Sequence, residues 1–166
     1  MVVIVFGLPG SGKSYFACRL AEKIDAFYLN SDQVRMEMFS SRTYSNEEKD
    51  AVYSELLTQA ERHVKANRDV IIDATFYKQQ LRDLFHKTLE YLTKVLFIEV
   101  VADEKLVVSR VERPRKFSEA NAEVYRKIKS QWEPLNEEHL LIESTENNID
   151  IMLDQSLQYL NDSARN

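Results

Sequence analysis

Gly7-Leu8-Pro9-Gly10-Ser11-Gly12-Lys13-Ser14 constrains the fold of this chain more than any other stretch. It fits the spacing G-x-x-x-x-G-K-[ST]. An apolar run, Val2 to Phe6, precedes it, and a helix-forming stretch from Ser14 to Lys23 follows. Strand, glycine loop and helix in that order are the context the pattern needs to be a phosphate-binding loop, or P-loop. Glycine lets the backbone turn tightly and approach a ligand without Cβ atoms in the way. The loop amides then form an anion nest, to which the helix adds its positive N-terminal end. All three glycines of the chain lie in this loop. The expected nucleotide-binding stretch is Gly7, Pro9, Gly10, Ser11, Gly12, Lys13 and Ser14. Lys13 is expected to reach the β- and γ-phosphates, and Ser14 to ligate Mg²⁺. The implied ligands are ATP, or another NTP, and Mg²⁺.

With 166 residues, the chain is expected to form one domain over residues 1–160, with a polar tail at 161–166. The single cysteine, Cys18, cannot form an internal disulfide and reads as a small core residue. No apolar stretch approaches the ~20 residues that span a bilayer. The N-terminus reads as a strand rather than a signal peptide. These features predict a cytoplasmic protein with no membrane partner. The net charge of −5 argues against non-specific coating of nucleic acid. Yet Lys105 to Lys129 holds eight basic residues against three acidic ones. That stretch reads either as a local polyanion site or as a solvated helix face. His63, His86 and His139 match no metal spacing.

Strands and helices alternate along the chain. Strands are predicted at Val2 to Phe6, Ala26 to Leu29, Val70 to Asp73, Lys94 to Val101 and Leu140 to Ile142. A short helix is expected over Gln33 to Phe39, a long one from Asn46 to about Ala66, and one from Lys78 to Tyr91. The last of these carries Leu81, Leu84, Phe85, Thr88 and Leu92 on one stripe. Asp103 opens a helix that Pro114 ends, Ser118 caps another with Asn121 in its first turn, and Asp150 to Leu160 forms the terminal helix. The pattern predicts an α/β fold: a three-layer α/β/α sandwich of the P-loop NTPase type, with a five-stranded parallel sheet and a helical lid at about 110–120.

In such sheets ligands bind beyond the carboxyl ends of the strands. Asp32, after strand two, is a candidate general base for an attacking hydroxyl, or else a helix N-cap. Arg35, one turn on, suits an anionic group of the acceptor, or an ion pair with Asp32 or Glu37. Asp73, at the end of strand three, is placed to support Mg²⁺ from outside its direct ligands, or to cap. Thr75 offers a hydroxyl to the acceptor or simply forms a turn. Arg110 and Arg113 share a helix face before Pro114 and the Arg115-Lys116 loop, and can neutralise a moving phosphoryl group.

Taken together, the P-loop, Asn30-Ser31-Asp32-Gln33-Val34-Arg35, Val70-Ile71-Ile72-Asp73-Ala74-Thr75 and the Arg110 to Lys116 segment resemble the polynucleotide 5′-kinase branch of the P-loop phosphotransferases. The resemblance covers roughly residues 1 to 135. It is strongest to the kinase modules of bacterial end-healing proteins, in which a kinase is fused to a phosphatase module. It implies transfer of an NTP γ-phosphate to a 5′-hydroxyl oligonucleotide, most readily at a single-stranded end. Lys13 and Ser14 would hold the nucleotide and metal, Asp32 would be the base, and Arg35 and Thr75 would contact the acceptor's phosphate. Arg110 and Arg113 would clamp the donor. The tail at 161–166 would then begin a linker to a further module. The same elements occur in small-molecule kinases of this superfamily, so a nucleoside, sugar or antibiotic acceptor is the alternative. A nucleotide-dependent switch or ATPase is a third reading. Homo-oligomerisation and the choice between DNA and RNA stay open.

Overall fold

Val2–Phe6 forms β1, and all five of its side chains are buried, which is how a strand covered on both faces reads. The computed structural model describes residues 1–112 and 121–165. Along the chain β1 is followed by α1 (Lys13–Ile24), β2 (Phe27–Asn30), α2 (Ser31–Met38), α3 (Asn46–Lys65) and β3 (Val70–Asp73). Then come α4 (Gln79–Leu89), β4 (Val95–Val101), α5 (Glu104–Val111), α6 (Ala122–Ser130), β5 (Leu140–Glu143) and α7 (Ile149–Arg165). The five strands pair in parallel in the order β2-β3-β1-β4-β5.

The alternation of side chains along β1 divides the core in two. Val2, Ile4 and Phe6 pack with Val52, Leu56 and Ala60 of α3 and with Phe85 and Leu89 of α4. Val3 and Val5 face the other way, onto Phe16 and Leu20 of α1 and Met152 and Leu160 of α7. Helices therefore cover both faces, giving the α/β/α sandwich the sequence predicts. A third, smaller cluster joins α5 to α6 through Val107, Val111 and Tyr125 and takes in Leu8 of the P-loop. The α5–α6 pair thus rests on the phosphate-binding loop.

Register brings the strand ends together. Asp73 lies beside Val5 on one side and Asn30 on the other. The residues after β1, β2 and β3 consequently emerge side by side at one edge of the sheet.

Four local expectations are revised. β2 lies one residue later than expected, at Phe27–Asn30, and α2 starts two residues earlier, at Ser31. Asn30 ends the strand and its side chain accepts from the Asp32 and Gln33 amides, so it caps α2. On α4 the inward face is Arg82, Phe85 and Leu89, whereas Leu84 is 51% exposed. The guanidinium of Arg82 decides this. It is fully buried and donates to the carbonyls of Phe76 (2.5 Å), Glu133 (2.5 Å) and Pro134 (3.2 Å). α6 is capped by Asn121, whose extended backbone leaves its side chain free to accept from the Glu123 and Val124 amides. The expected cap, Ser118, lies outside the described residues, as do Arg113, Pro114, Arg115 and Lys116. Finally, α7 continues past Leu160 to Arg165. Extending an anchored helix costs only tenths of a kcal/mol per polar residue, because nucleation has already occurred.

Candidate active site

The P-loop leaves β1 and turns into α1 through backbone that only glycine adopts without strain. Gly10 has φ +82° and Gly12 has φ +93°. A Cβ on Gly12 would also lie 2.6 Å from Ser144 Oγ, and one on Gly10 would lie 2.7 Å from Val111 Cγ1. α1 starts without a side-chain cap and with no acidic residue in its first turn. Its leading amides and dipole are therefore left to an external anion. Lys13 and Ser14 stand at that end, Lys13 half-buried and Ser14 exposed.

Asp73 is 1% exposed. Its Oδ2 accepts from Asn30 Nδ2 at 2.5 Å and from the Tyr28 hydroxyl at 2.7 Å. Burial, then the Asp73 charge, push the Tyr28 phenol far up, so it stays protonated and keeps donating. The Tyr28 hydroxyl also lies 3.4 Å from the Ser14 carbonyl oxygen. Asp73 Oδ1 is buried with no hydrogen-bond partner among the described residues. A buried carboxylate oxygen left open next to a hydroxyl-bearing P-loop is an all-oxygen donor set of the kind Mg²⁺ takes, usually with retained waters. Asp73 caps no helix; α4 begins after Lys78.

Across the sheet edge, the capping by Asn30 releases Asp32 from that task. The Asp32 carboxylate lies 3.4 Å from Arg35 Nη1. The stronger partner of Arg35 is Glu48 of α3, with Nε to Oε1 at 2.9 Å and both side chains buried. The contact is ionic and does not have the alignment of a hydrogen bond. Glu48 was hidden in sequence because Ser45-x-x-Glu48 reads as a capping box. Half of that box forms: the Ser45 hydroxyl accepts from the Glu48 amide. The Glu48 carboxylate instead accepts from the Thr43 amide (2.6 Å) and hydroxyl (2.9 Å) and the Tyr44 amide (3.1 Å). Burial would raise the pKa of Glu48, but these donors and the Arg35 charge outweigh it and hold the group below the usual glutamate range.

Two bulky residues beside this cluster adopt left-handed backbone, Tyr44 at φ +55° and Phe76 at φ +47°. Such conformations cost roughly 1–2 kcal/mol each and gather at functional sites. Tyr44 faces the Arg35 guanidinium, 4.9 Å from ring centroid to Cζ. The Phe76 amide donates to the Tyr53 hydroxyl at 3.2 Å.

Two cavities meet here. A cleft of about 900 Å³ is bounded by the P-loop, the start of α1, Arg110 and the 144–148 loop before α7. A pocket of about 200 Å³ lies between α2, α3 and α6 and includes Arg35, Thr75 and Tyr44 in its wall. Lys13 and Asp32 line both. Arg110 is attached to the walls of the larger cleft, donating to the Ser11 carbonyl (3.2 Å), the Ser144 hydroxyl (3.1 Å) and the Thr145 carbonyl (2.7 Å). Arg113, its expected companion, lies outside the described residues. Cys18 is half-buried on the large cleft, not in the core, and burial pushes its thiol up, away from nucleophilic character. Among the described residues no group of three His, Cys, Asp or Glu side chains could hold a metal by itself, and no helix is long and apolar enough to cross a membrane.

The AAA domain family model matches residues 2–135. The chain belongs to this family. No curated protein matches it. The fold is that of P-loop kinases. An unliganded sugar kinase from Janibacter sp. HTCC2649 superimposes with a TM-score of 0.75 at 18% identity, over 96% of this chain and 94% of that one. The APS kinase CysC of Mycobacterium tuberculosis, in complex with AMPPNP and APS, gives 0.74 at 16% identity, over 96% of each chain. Kti12 from Chaetomium thermophilum, in complex with ADP-AlF3, gives 0.70 at 17% identity, over 95% of this chain and 98% of that one. At these identities the likeness is one of fold.

Proposed function

We propose that the chain is a small-molecule kinase that transfers the γ-phosphate of ATP, or another NTP, to a hydroxyl group. The observation that carries this reading is the shared wall. Lys13 and Asp32 line both the large P-loop cleft and the small pocket beside it. A donor in the cleft and an acceptor in the pocket would meet at the lysine that neutralises the phosphoryl group and the carboxylate that takes the proton. The acceptor oxygen attacks the γ-phosphorus, its proton passes to Asp32, and the nucleoside diphosphate leaves. Uncapped amides at the start of α1 and the Lys13 ammonium counter the charge of the transferring group. Ser14 would ligate Mg²⁺ and Asp73 would support it from outside its direct ligands; when bound, the ion neutralises charge on the donor phosphates. Arg110 would hold the donor side closed by joining the P-loop to the 144–148 loop.

Pocket size favours a small acceptor, since about 200 Å³ falls below the range of drug-sized ligand sites. Solved structures of like fold include a sugar kinase and an APS kinase, which points the same way. A second reading, a polynucleotide 5′-hydroxyl acceptor, is favoured by one observation. Arg35 and Thr75, the pair that the polynucleotide kinase resemblance assigns to the acceptor phosphate, line one pocket. Incubation with γ-labelled ATP, Mg²⁺ and a panel of sugars, nucleosides and 5′-hydroxyl oligonucleotides separates the two. Label in a small alcohol is expected. Label confined to oligonucleotide ends would put the second reading first, and nucleotide hydrolysis with no labelled acceptor would remove both.

A further inference from the structure

The acceptor pocket holds charge that phosphoryl transfer does not use. Lys49 of α3 and Lys127 of α6 line it together with Arg35 and Lys13, and Asp32 is the one acidic side chain in its wall among the described residues. Arg35 is already neutralised by Glu48 and Asp32. Lys13 is committed to the donor phosphates under the reading above. Lys49 and Lys127 differ: among the described residues neither has a carboxylate at ion-pair distance, whereas Lys65, Lys78 and the neighbouring Lys129 all do. Burial, then the positive charges of Lys127 and Arg35, hold the Lys49 ammonium below the usual lysine range, and Asp50 and Glu48 offset this only in part. Two cations that line one hydroxyl-bearing pocket, neither ion-paired among the described residues, describe a site whose ligand brings the counter-charge.

The amount of charge narrows the ligand. Two ammonium groups that share one pocket, neither ion-paired among the described residues, suit a ligand that presents an anionic oxygen to each. A phosphomonoester carries −1.5 to −2 at pH 7, whereas a carboxylate or a phosphodiester carries −1. We propose that Lys49 and Lys127 form a subsite for a phosphomonoester, so that the acceptor is a small alcohol that already bears one phosphate. The inference rests on reading this pocket as the acceptor side of a kinase. It adds two residues that the family resemblance does not assign, on elements far apart in sequence. It also separates the small-molecule reading from the polynucleotide one, because an internal nucleic-acid phosphate is a diester. Lys127 comes from α6, whose Lys129 pairs with Glu104 of α5 at 2.9 Å. A dianion between the lysines would therefore tie the α5–α6 pair to α3 across the acceptor.

The test saturates the P-loop with AMPPNP, so that no vacant γ-phosphate position can capture an anion, and titrates methyl phosphate against dimethyl phosphate by calorimetry. Methyl phosphate is expected to bind and dimethyl phosphate is not. Lys49→Met and Lys127→Met should each weaken methyl phosphate binding about tenfold, the usual worth of one charged hydrogen bond, with AMPPNP affinity unchanged. Lys127 is exposed on its helix, so its substitution reports on the site without threatening the fold. Equal binding of the diester, or methyl phosphate binding unaffected by both substitutions, overturns the subsite. A second arm offers the same alcohols in neutral, carboxylated and phosphorylated form as acceptors. Preference for the phosphorylated form, lost in both variants, is expected. Efficient phosphorylation of a neutral alcohol with kcat/KM untouched by either substitution leaves the kinase standing and removes the inference. Lysine-dependent methyl phosphate binding with no alcohol phosphorylated supports the subsite and removes the kinase.

Discussion

Under the proposed reading, the donor cleft and the acceptor pocket are built in opposite ways. On the donor side, one continuous stretch, Gly7 to Ser14, supplies backbone amides, a helix end, a lysine and a hydroxyl, and β3 adds Asp73 at the neighbouring strand end. On the acceptor side, Arg35, Lys49, Thr75 and Lys127 come from α2, α3, the loop after β3 and α6, and of these Arg35 is fixed by its ion pairs with Glu48 and Asp32. Backbone recognition suits a ligand part that never changes, the polyphosphate. Side chains gathered from distant elements suit the part that differs from one kinase to another. Substitutions on the two sides should therefore fail in different kinetic parameters, and the ones that do not would break the comparison.

The largest effect is expected on the donor side. Lys13→Ala should lower phosphoryl transfer by at least about 10³-fold, since it removes both positioning and charge neutralisation. Turnover of a labelled donor near the wild-type rate would end the donor assignment. At the boundary between the two sides, Asp32→Asn should cut kcat by about 10²-fold or more while leaving nucleotide affinity nearly constant. A matching loss of nucleotide binding, read by calorimetry, would make Asp32 part of the donor side instead.

The same contrast explains what was legible in the chain. Val2–Phe6 and Val70–Asp73 occupy the residues expected of them, because a buried parallel strand is an uninterrupted apolar run and the P-loop is a local pattern. Asn30 and Asn121 show where local reading falls short. Each caps a helix that an adjacent or nearby residue was equally able to start, and the choice is made by where the strand or loop lets the backbone turn extended. On α4 the expected stripe held at Phe85 and, in part, at Leu81, but Arg82 took a buried place on that face, donating to carbonyls of the 76 and 133 segments that no spacing within α4 announces. Glu48 and Lys49 were legible only as the acidic and basic residues of a helix start. Their meaning depends on α2, the 43–44 turn and α6 packing against them, and no spacing within α3 encodes that.

Next in size is the cluster that holds the acceptor wall in place. Glu48 has a lower pKa folded than unfolded, so it contributes stability above the ordinary glutamate value of about 4.3 and that contribution is lost as pH falls below it. Glu48→Gln should destabilise the fold by about 1–3 kcal/mol near neutrality, since Arg35 keeps its buried position with one carboxylate fewer. The gap between the two proteins should narrow as pH falls below the ordinary glutamate value and close once Glu48 is protonated in the folded protein. Thermal melts of both across that range check this. A constant gap at every pH would mean that packing, not the charge of Glu48, supports the pocket.

The smallest expected effect returns to the donor side and asks whether the side-chain network around Asp73 behaves like the backbone beside it. Tyr28 and Asn30 both donate to Asp73 Oδ2, which leaves Oδ1 without a hydrogen-bond partner among the described residues. If that arrangement serves Mg²⁺, Tyr28→Phe should raise the Mg²⁺ concentration needed for half-maximal transfer by about tenfold, because a supporting hydrogen bond to a metal-facing carboxylate tunes affinity on that scale. The maximal rate at saturating Mg²⁺ and the affinity for the acceptor should stay close to those of the parent, since the phenol touches neither the γ-phosphate position nor the small pocket, whose walls do not include it. Nucleotide binding without metal is the control that a merely structural role would disturb. A loss there equal to the loss with Mg²⁺ would show that Tyr28 supports the Ser14 backbone and not Asp73, and the donor side would then owe nothing to Asp73.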